Sequence, residues 1–420
     1  MTALVIGAER ADAATPDQAV ADQRASVLFL HATFFSCLCL QRFCVYAGES
    51  PIYFALPVFL GMLGWLLATG RAALRPPVVA LFAAVVVAGI ASTLLALNTF
   101  DMRVSGISAA SLFSLLVLYA GLTVRPTDRF HGERAFGVFL FYVRLCAVLG
   151  IAQYLAQFVG IRLFSFMLAV PALKPILAEP LFNYQPIIAY GSSIMRSNGF
   201  FLVEPSIFSQ VLILGVIVDF FVKREWRFLP LYGLAYLYTY AGTGVLSLLI
   251  AAVLFIILAP RQSPRVLAFA VIGLVLGAVA ALAFPAQFDQ LAGRSNELNY
   301  AGSSGYARYV SQFDILRAIQ DETRTLIGYG PGALERATFY AKGGGSAALK
   351  LYVDYGIVGL LSFTAFISAA LWRREIALVS LYVLINFQFG GGYLVFPPLV
   401  ILMALVCIWS RAPSRDARPR

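Results

Sequence analysis

Residues 77–97 read PVVALFAAVVVAGIASTLLAL, a run without a single charge. At about 1.5 Å rise per residue, a helix of that length covers the ~30 Å of hydrocarbon in a bilayer. Its hydroxyl side chains, Ser92 and Thr93, are too few to give it the polar face of a surface helix. The same apolar density extends on both sides. Of 420 residues, 60% are apolar and 12% are charged, and the mean hydropathy is +0.82. Soluble domains carry roughly 45–50% apolar and about 25% charged residues. A cytosolic enzyme, a secreted disulfide scaffold and a disordered chain are therefore excluded, and the chain reads as an all-α polytopic membrane protein.

The length rule predicts about 12 transmembrane helices, at 26–46, 52–69, 77–97, 106–124, 136–159, 206–222, 229–241, 244–259, 266–284, 356–372, 376–390 and 393–410. They form a single integral membrane domain over 26–410, between cytosolic tails at 1–25 and 411–420. Arg71 and Arg75, Arg125 to Arg134, Lys223 to Arg227, Arg261 and Arg265, Arg373 and Arg374, and Arg411 onwards mark every second connection as basic. By the positive-inside rule both termini face the cytoplasm, and the net charge of +10 is mostly topological. No nucleic acid partner is expected. Cys37, Cys39, Cys44, Cys146 and Cys407 lie in apolar runs and read as small buried hydrophobes.

Two connections are long, about 160–205 and 285–355, and both fall on the periplasmic side. Loops of this size are uncommon unless functional, so any chemistry is expected there. The first ends Met195-Arg196-Ser197-Asn198-Gly199-Phe200-Phe201-Leu202-Val203-Glu204-Pro205-Ser206. Pro205 suits a first helical position, where its missing N–H costs nothing. Glu204 then sits near the N-cap and is either a capping acid or a catalytic one. Arg196, beside a helix start at the membrane surface, is a candidate anion site; a headgroup contact or an ion pair with Glu204 would explain it equally.

The second loop is partly helical. Tyr306, Val310, Phe313, Leu316 and Ile319 recur every three or four positions, which predicts an amphipathic helix over 304–321 with that stripe as its packed face. Arg308 is on another face, and Arg294 and Tyr309 lie nearby. Leu326-Ile327-Gly328-Tyr329-Gly330-Pro331-Gly332 predicts a tight turn. Lys350 and Asp354, four apart, fit a surface ion pair as well as a catalytic role. Arg42, Gln153 and Gln157, at the outer ends of spans one and five, are candidates to line a polar cavity, and Arg144 pairs most simply with Asp219.

Several chemistries lack their residues. His31 and His131 are the whole histidine complement and neither lies in an outer loop, so a zinc site or a Ser-His-Asp triad has no basis. No paired-acid metal motif or nucleotide-phosphate loop is present. No metal and no cofactor are expected.

These motifs, in this order, resemble the O-antigen polymerase and ligase family of bacterial inner-membrane glycosyltransferases, in particular its exopolysaccharide-polymerase branch. The residues concerned are Arg196 to Ser206, Tyr306-Ala307-Arg308, Leu326 to Gly332, and Asp354-Tyr355-Gly356-Ile357-Val358-Gly359-Leu360-Leu361. The resemblance implies an enzyme that takes glycan from undecaprenyl diphosphate onto a lipid-linked repeat unit at the periplasmic face. It assigns diphosphate binding to Arg196 and Arg308, and it implies the bilayer and a chain-length regulator or export machinery as partners. Ligases of the family carry a His in the late loop, where this chain has Gly343-Gly344-Gly345-Ser346. The alternatives are an O-antigen-type ligase and, in another class, a lipid-linked oligosaccharide flippase or secondary transporter, although no internal repeat supports a carrier.

Overall fold

The computed structural model describes residues 15–47, 50–99, 104, 106–163, 167, 170–178, 187–188, 192–258, 264, 268, 282, 299, 306, 310–318, 322–337, 346–389, 394 and 396–411. The protein is mostly helical. Four helical stretches are long and apolar enough to cross a membrane: Pro76–Asn98, Gly132–Val159, Pro205–Lys223 and Ala347–Leu371. Shorter apolar helices accompany them at Ala55–Ala68, Ala109–Thr123, Thr243–Leu258 and Pro397–Ile408. Span 266–284 lies outside the described residues, apart from two isolated positions.

Helix α1 (Pro16–Leu38) starts ten residues before the expected span, because Thr15 caps it, Pro16 opens it and Asp17 favours its first turn. It also ends earlier than the expected residue 46. Two short strands pair antiparallel instead, β1 (Cys44–Ala47) against β2 (Ser50–Tyr53), with Cys44 opposite Tyr53. Gln41 and Arg42 are polar in an apolar run, and both are spent on loop backbone rather than on extending the helix.

Next come α2 (Ala55–Ala68), a short strand β3 (Ala72–Leu74), α3 (Pro76–Asn98), α4 (Ala109–Ala120) and β4 (Val124–Pro126). Strand β3 pairs antiparallel with β4. Helix α5 (Ala135–Ala156) carries Gln153, with Gln157 as its C-cap, and α6 (Pro205–Ile217) runs on as a π-helical turn through Lys223. Then α7 (Leu229–Leu237) and α8 (Thr243–Leu258) follow. Short helices α9 (Ser311–Ala318), α10 (Glu322–Ile327) and α11 (Ala333–Arg336) precede α12 (Ala347–Leu371), α13 (Ala377–Phe389) and α14 (Pro397–Ile408).

Helix α1 packs on α2, α5 and α14, with Phe29 against Phe130 and Trp409 at ring distances of 5.7 and 4.5 Å. Helix α12 lies along α3, and α8 packs on α6 and α13. The expected Arg144–Asp219 pair is present, with Nη2 2.7 Å from Oδ1. The Tyr232 hydroxyl donates to the same carboxylate at 2.6 Å, and the Phe228 ring lies 3.4 Å from the guanidinium. All five cysteines are unbridged and buried.

The amphipathic stripe of the late loop is corrected. On α9, Ile315 is the buried residue, while Phe313 and Leu316 are exposed at 63% and 38%. Ile315 joins a small cluster with Tyr329, Leu334, Leu349 and Val353. Spacing reveals an apolar face, but in a membrane protein that face need not be the one turned to protein.

At the basic end of the bundle Asp22 is nearly inaccessible and sits between Arg71 and Arg129, at 2.8 and 3.0 Å. Burial alone would raise its carboxyl, but Arg129 and Arg71 hold it below the ordinary carboxylate range. Asp22→Asn is expected to cost roughly 2 kcal/mol, between the exposed and the fully buried cases, read as a lower unfolding temperature in detergent. The folded carboxyl is the more acidic, so the unfolded chain binds the extra proton. This contribution is therefore complete above about pH 4 and is lost as pH falls through the folded value.

Candidate functional site

The approach to α6 leaves regular geometry for nine residues, Met195 to Val203, and much of it is buried. Peptide groups there cannot turn to water or lipid and need partners within the protein. Side chains of α5 and of the α1 exit provide them. The Gln157 amide meets both polar groups of Met195, accepting from its N–H at 2.9 Å and donating to its carbonyl at 3.2 Å. One turn earlier, Gln153 accepts from the Asn198 N–H at 3.2 Å and donates to the Asn198 side chain at 2.9 Å. The Ser197 hydroxyl donates to the Gly150 carbonyl at 2.9 Å, and its N–H to the Tyr238 carbonyl at 2.8 Å.

The far end of the segment is held from α1. Gln41 accepts the Val203 N–H at 3.0 Å. Arg42, 1% exposed, donates Nε and Nη2 to the Leu202 carbonyl at 3.2 and 3.1 Å. Its own carbonyl accepts the Ala178 N–H at 2.9 Å, so one residue ties together two parts of the first outer loop. Arg42, Gln153 and Gln157 were expected to line a cavity. Their side chains hydrogen-bond to the strip that begins at Met195 and ends beside Glu204.

Between the two clamps the backbone turns through left-handed geometry at Gly199 (φ 73°) and at Phe200 (φ 69°). A non-glycine residue there is strained, a state that persists only where surroundings over-determine it. Arg196 is half-buried, and its flanking residues are fixed on both sides. Glu204 is the N-cap of α6, in extended geometry, directly before Pro205. Its carboxylate makes no capping bond to the helix; it accepts the Ser206 hydroxyl at 2.8 Å. The carbonyl does the capping, accepting the Phe208 N–H at 3.1 Å.

The second constellation lies where α10 and α11 meet α12. Gly328 and Gly356 are both left-handed, at φ 89° and 69°, and a Cβ on either would run into the other segment's backbone at Asp354 or Leu326. The glycine turn thus crosses α12 at a break in its helical geometry, Gly356. Two motifs that looked separate in the sequence form one unit. Asp354 is fully buried and accepts the Gly332 and Leu334 N–H groups at 3.0 Å each. Lys350 Nζ donates to Asp354 at 2.8 Å and to Glu335 at 2.7 Å. A surface ion pair between Lys350 and Asp354 is therefore corrected to a buried one, because Asp354 serves as the N-terminal acceptor for α11. Ser92 of α3 adds a bond to the Asp354 carbonyl at 2.6 Å.

The polarity of the helices puts both constellations at the same end of the bundle. The α1 exit, the α5 C-terminus, the α6 N-terminus, the α12 N-terminus and the last turns of α3 all lie opposite the Asp22–Arg71–Arg129 layer. Arg294, Arg308 and Tyr309 lie outside the described residues. The structure thus brings Arg42, Gln153, Gln157, Arg196 and Glu204 around one loop and gathers Lys350 and Asp354 in the other unit. Ser197 is a clamp member that sequence reasoning did not select, and Gln41 stands out in the sequence only by its depth beside Arg42. Adjacency to Arg42 and Arg196 was the available signal.

A family model described as WcaD colanic acid polymerase matches residues 30–330, from within α1 past the glycine turn's first residues. No curated protein and no solved structure matches the chain.

Removing the ammonium from the Lys350–Asp354 pair strands a buried carboxylate. Lys350→Met is expected to cost about 3–5 kcal/mol. Glu335→Gln, at the half-exposed end of the same network, should cost less than about 1 kcal/mol. Thermal unfolding of the purified variants in detergent distinguishes the two.

Proposed function

The chain belongs to the WcaD colanic acid polymerase family, a family of membrane-embedded exopolysaccharide repeat-unit polymerases, and on that footing we propose how it works. It transfers a growing glycan from undecaprenyl diphosphate onto a lipid-linked repeat unit, at the periplasmic face of the bacterial inner membrane and without a metal. Both termini are cytoplasmic, the basic end of the bundle facing inward. The twelve-span count and the two periplasmic loops, at about 160–205 and 285–355, belong to the same proposal.

The donor already contains a good leaving group. The protein must therefore bind its negative charge and present an acceptor hydroxyl in line with the breaking bond. The anomeric carbon–phosphate oxygen bond breaks, the acceptor oxygen bonds to that carbon, and lipid diphosphate departs. Arg196 and Arg308 hold the diphosphate by charge-assisted hydrogen bonds, and Glu204 takes the acceptor's proton. A guanidinium–phosphate pair at ~4 Å is worth about 1 kcal/mol in water and about 4 at an effective dielectric of 20, which favours a partly dry mouth. A positioned carboxylate base adds roughly 10²–10⁴-fold.

The observation that carries this reading is the clamped strip from Met195 to Val203. It lies within the matched residues, and its immobilised backbone sets Arg196 and Glu204 at its two ends. Such immobilisation is what preorganised charge stabilisation requires.

The test is chain growth by the purified protein on a defined diphosphate-lipid oligosaccharide, followed by gel and mass analysis. Arg196→Ala and Arg308→Ala should each lower the rate by at least about 100-fold at normal membrane abundance, and Glu204→Gln by about 10²–10⁴-fold. Undiminished product ladders from either arginine variant would remove the diphosphate assignment. Product attached to a different acceptor, without lengthening, would indicate a ligase. Movement of the intact lipid-linked unit across vesicles, without new linkage, would indicate a flippase.

A further inference from the structure

The outer face of the first turns of α1 is flanked by two open grooves, of about 450 and 600 Å³. Val20, Arg24 and Leu28 line both. Gln23, Val27, His31 and Arg134 complete the smaller one, and Trp65 and Arg71 border the larger. The walls are apolar and accessible, with Val20 and Leu28 exposed at 48% and 57%. Two cations stand at the rim. Arg24 and Arg134 are both exposed, and among the described residues neither has a carboxylate partner.

The nearby acids are otherwise engaged or placed. Asp22 is enclosed by Arg71 and Arg129, Glu133 meets His131 at 3.2 Å, and Asp17 borders only the larger groove. The Asp22–Arg71–Arg129 layer lies at the level of Arg24, and beyond it α1 continues as Phe29, Leu30 and Phe34. Trp65, with the Arg71 guanidinium 5.8 Å from its ring, is of the type that sits at a membrane–water boundary. The smaller groove therefore has an apolar floor within the bilayer and a rim of two guanidiniums at its surface.

We propose that this smaller groove is a binding site for an acidic phospholipid of the adjoining leaflet. The acyl chain lies along Val27 and Leu28, and the phosphate is held by Arg24 and Arg134. Charge complementarity selects the ligand: two guanidiniums without a carboxylate favour an anionic headgroup over a zwitterionic one, whose own cation they repel. The site is at the opposite end of the bundle from Arg196 and Glu204, so it does not depend on the catalytic reading.

The experiment uses the full chain in detergent. Retained lipid is followed by native mass spectrometry, and unfolding temperature is followed during titration with dioleoyl phosphatidylglycerol, dioleoyl phosphatidylcholine or inorganic pyrophosphate. Phosphatidylglycerol should bind and stabilise preferentially. Arg24→Gln and Arg134→Gln should each weaken that preference roughly fivefold, and together about 30-fold. Arg24→Lys with Arg134→Lys should keep most of it, and the distant, exposed Arg317→Gln all of it. The proposal is overturned if the double Gln variant keeps the full preference, if phosphatidylcholine binds equally well, or if pyrophosphate alone reproduces the stabilisation. Both positions are exposed, so the variants are expected to fold; an unfolded double variant leaves the single substitutions and the lysine pair to decide by the same criterion.

Discussion

Peptide groups that leave helical geometry inside a membrane protein must be satisfied by the protein itself, since lipid offers no partners and water has little access. The strip from Met195 to Val203 shows how much of this sequence answers that single requirement. Gln157, Gln153 and the Ser197 hydroxyl hold its first half against α5. Gln41 and Arg42 hold its second half against the α1 exit. Without these bonds the same residues would expose unpaired donors and acceptors in a low-dielectric interior, at several kcal/mol for each group. A polar residue buried near the end of an apolar helix is here a backbone partner in disguise.

The same requirement explains the second unit. Helix α11 begins where the glycine turn ends, and the N–H groups there need an acceptor. Asp354 provides both oxygens, and Lys350 balances its charge. The break at Gly356 lets the turn approach the α12 backbone more closely than any side chain would allow. Helix polarity brings both irregular segments to one end of the bundle, away from the arginine-rich end. That asymmetry is what the proposed reaction needs, with irregular backbone and fixed charges at the mouth and a smooth apolar exterior between.

Much of the fold was legible because hydrophobic length is a one-dimensional signal. A run such as 77–97 has no environment except a bilayer or a fully buried core, and the helix Pro76–Asn98 matches it closely. The start of α6 was also legible: Pro205 after an acid admits few other geometries, and Glu204 is its N-cap. Partners were read less evenly: the Arg144–Asp219 pair was foreseen and is present, but two others were not. The stripe of the late loop predicted Phe313 as packed, yet Ile315 is. Lys350 and Asp354 have the spacing of an ordinary surface pair, and only the turn packed over them makes them buried.

The amino-acid sequence by itself thus determined the class of protein, since composition and span length depend on no contact, while the arginines and acids proposed to act came from the family resemblance. Tertiary structure alone decided which backbone groups the buried polar residues hold: Arg42 meets the Leu202 carbonyl only because folding brings it across 160 positions. A hydrogen bond between distant segments has no periodicity and leaves no local mark, so its meaning exists only once the chain has folded.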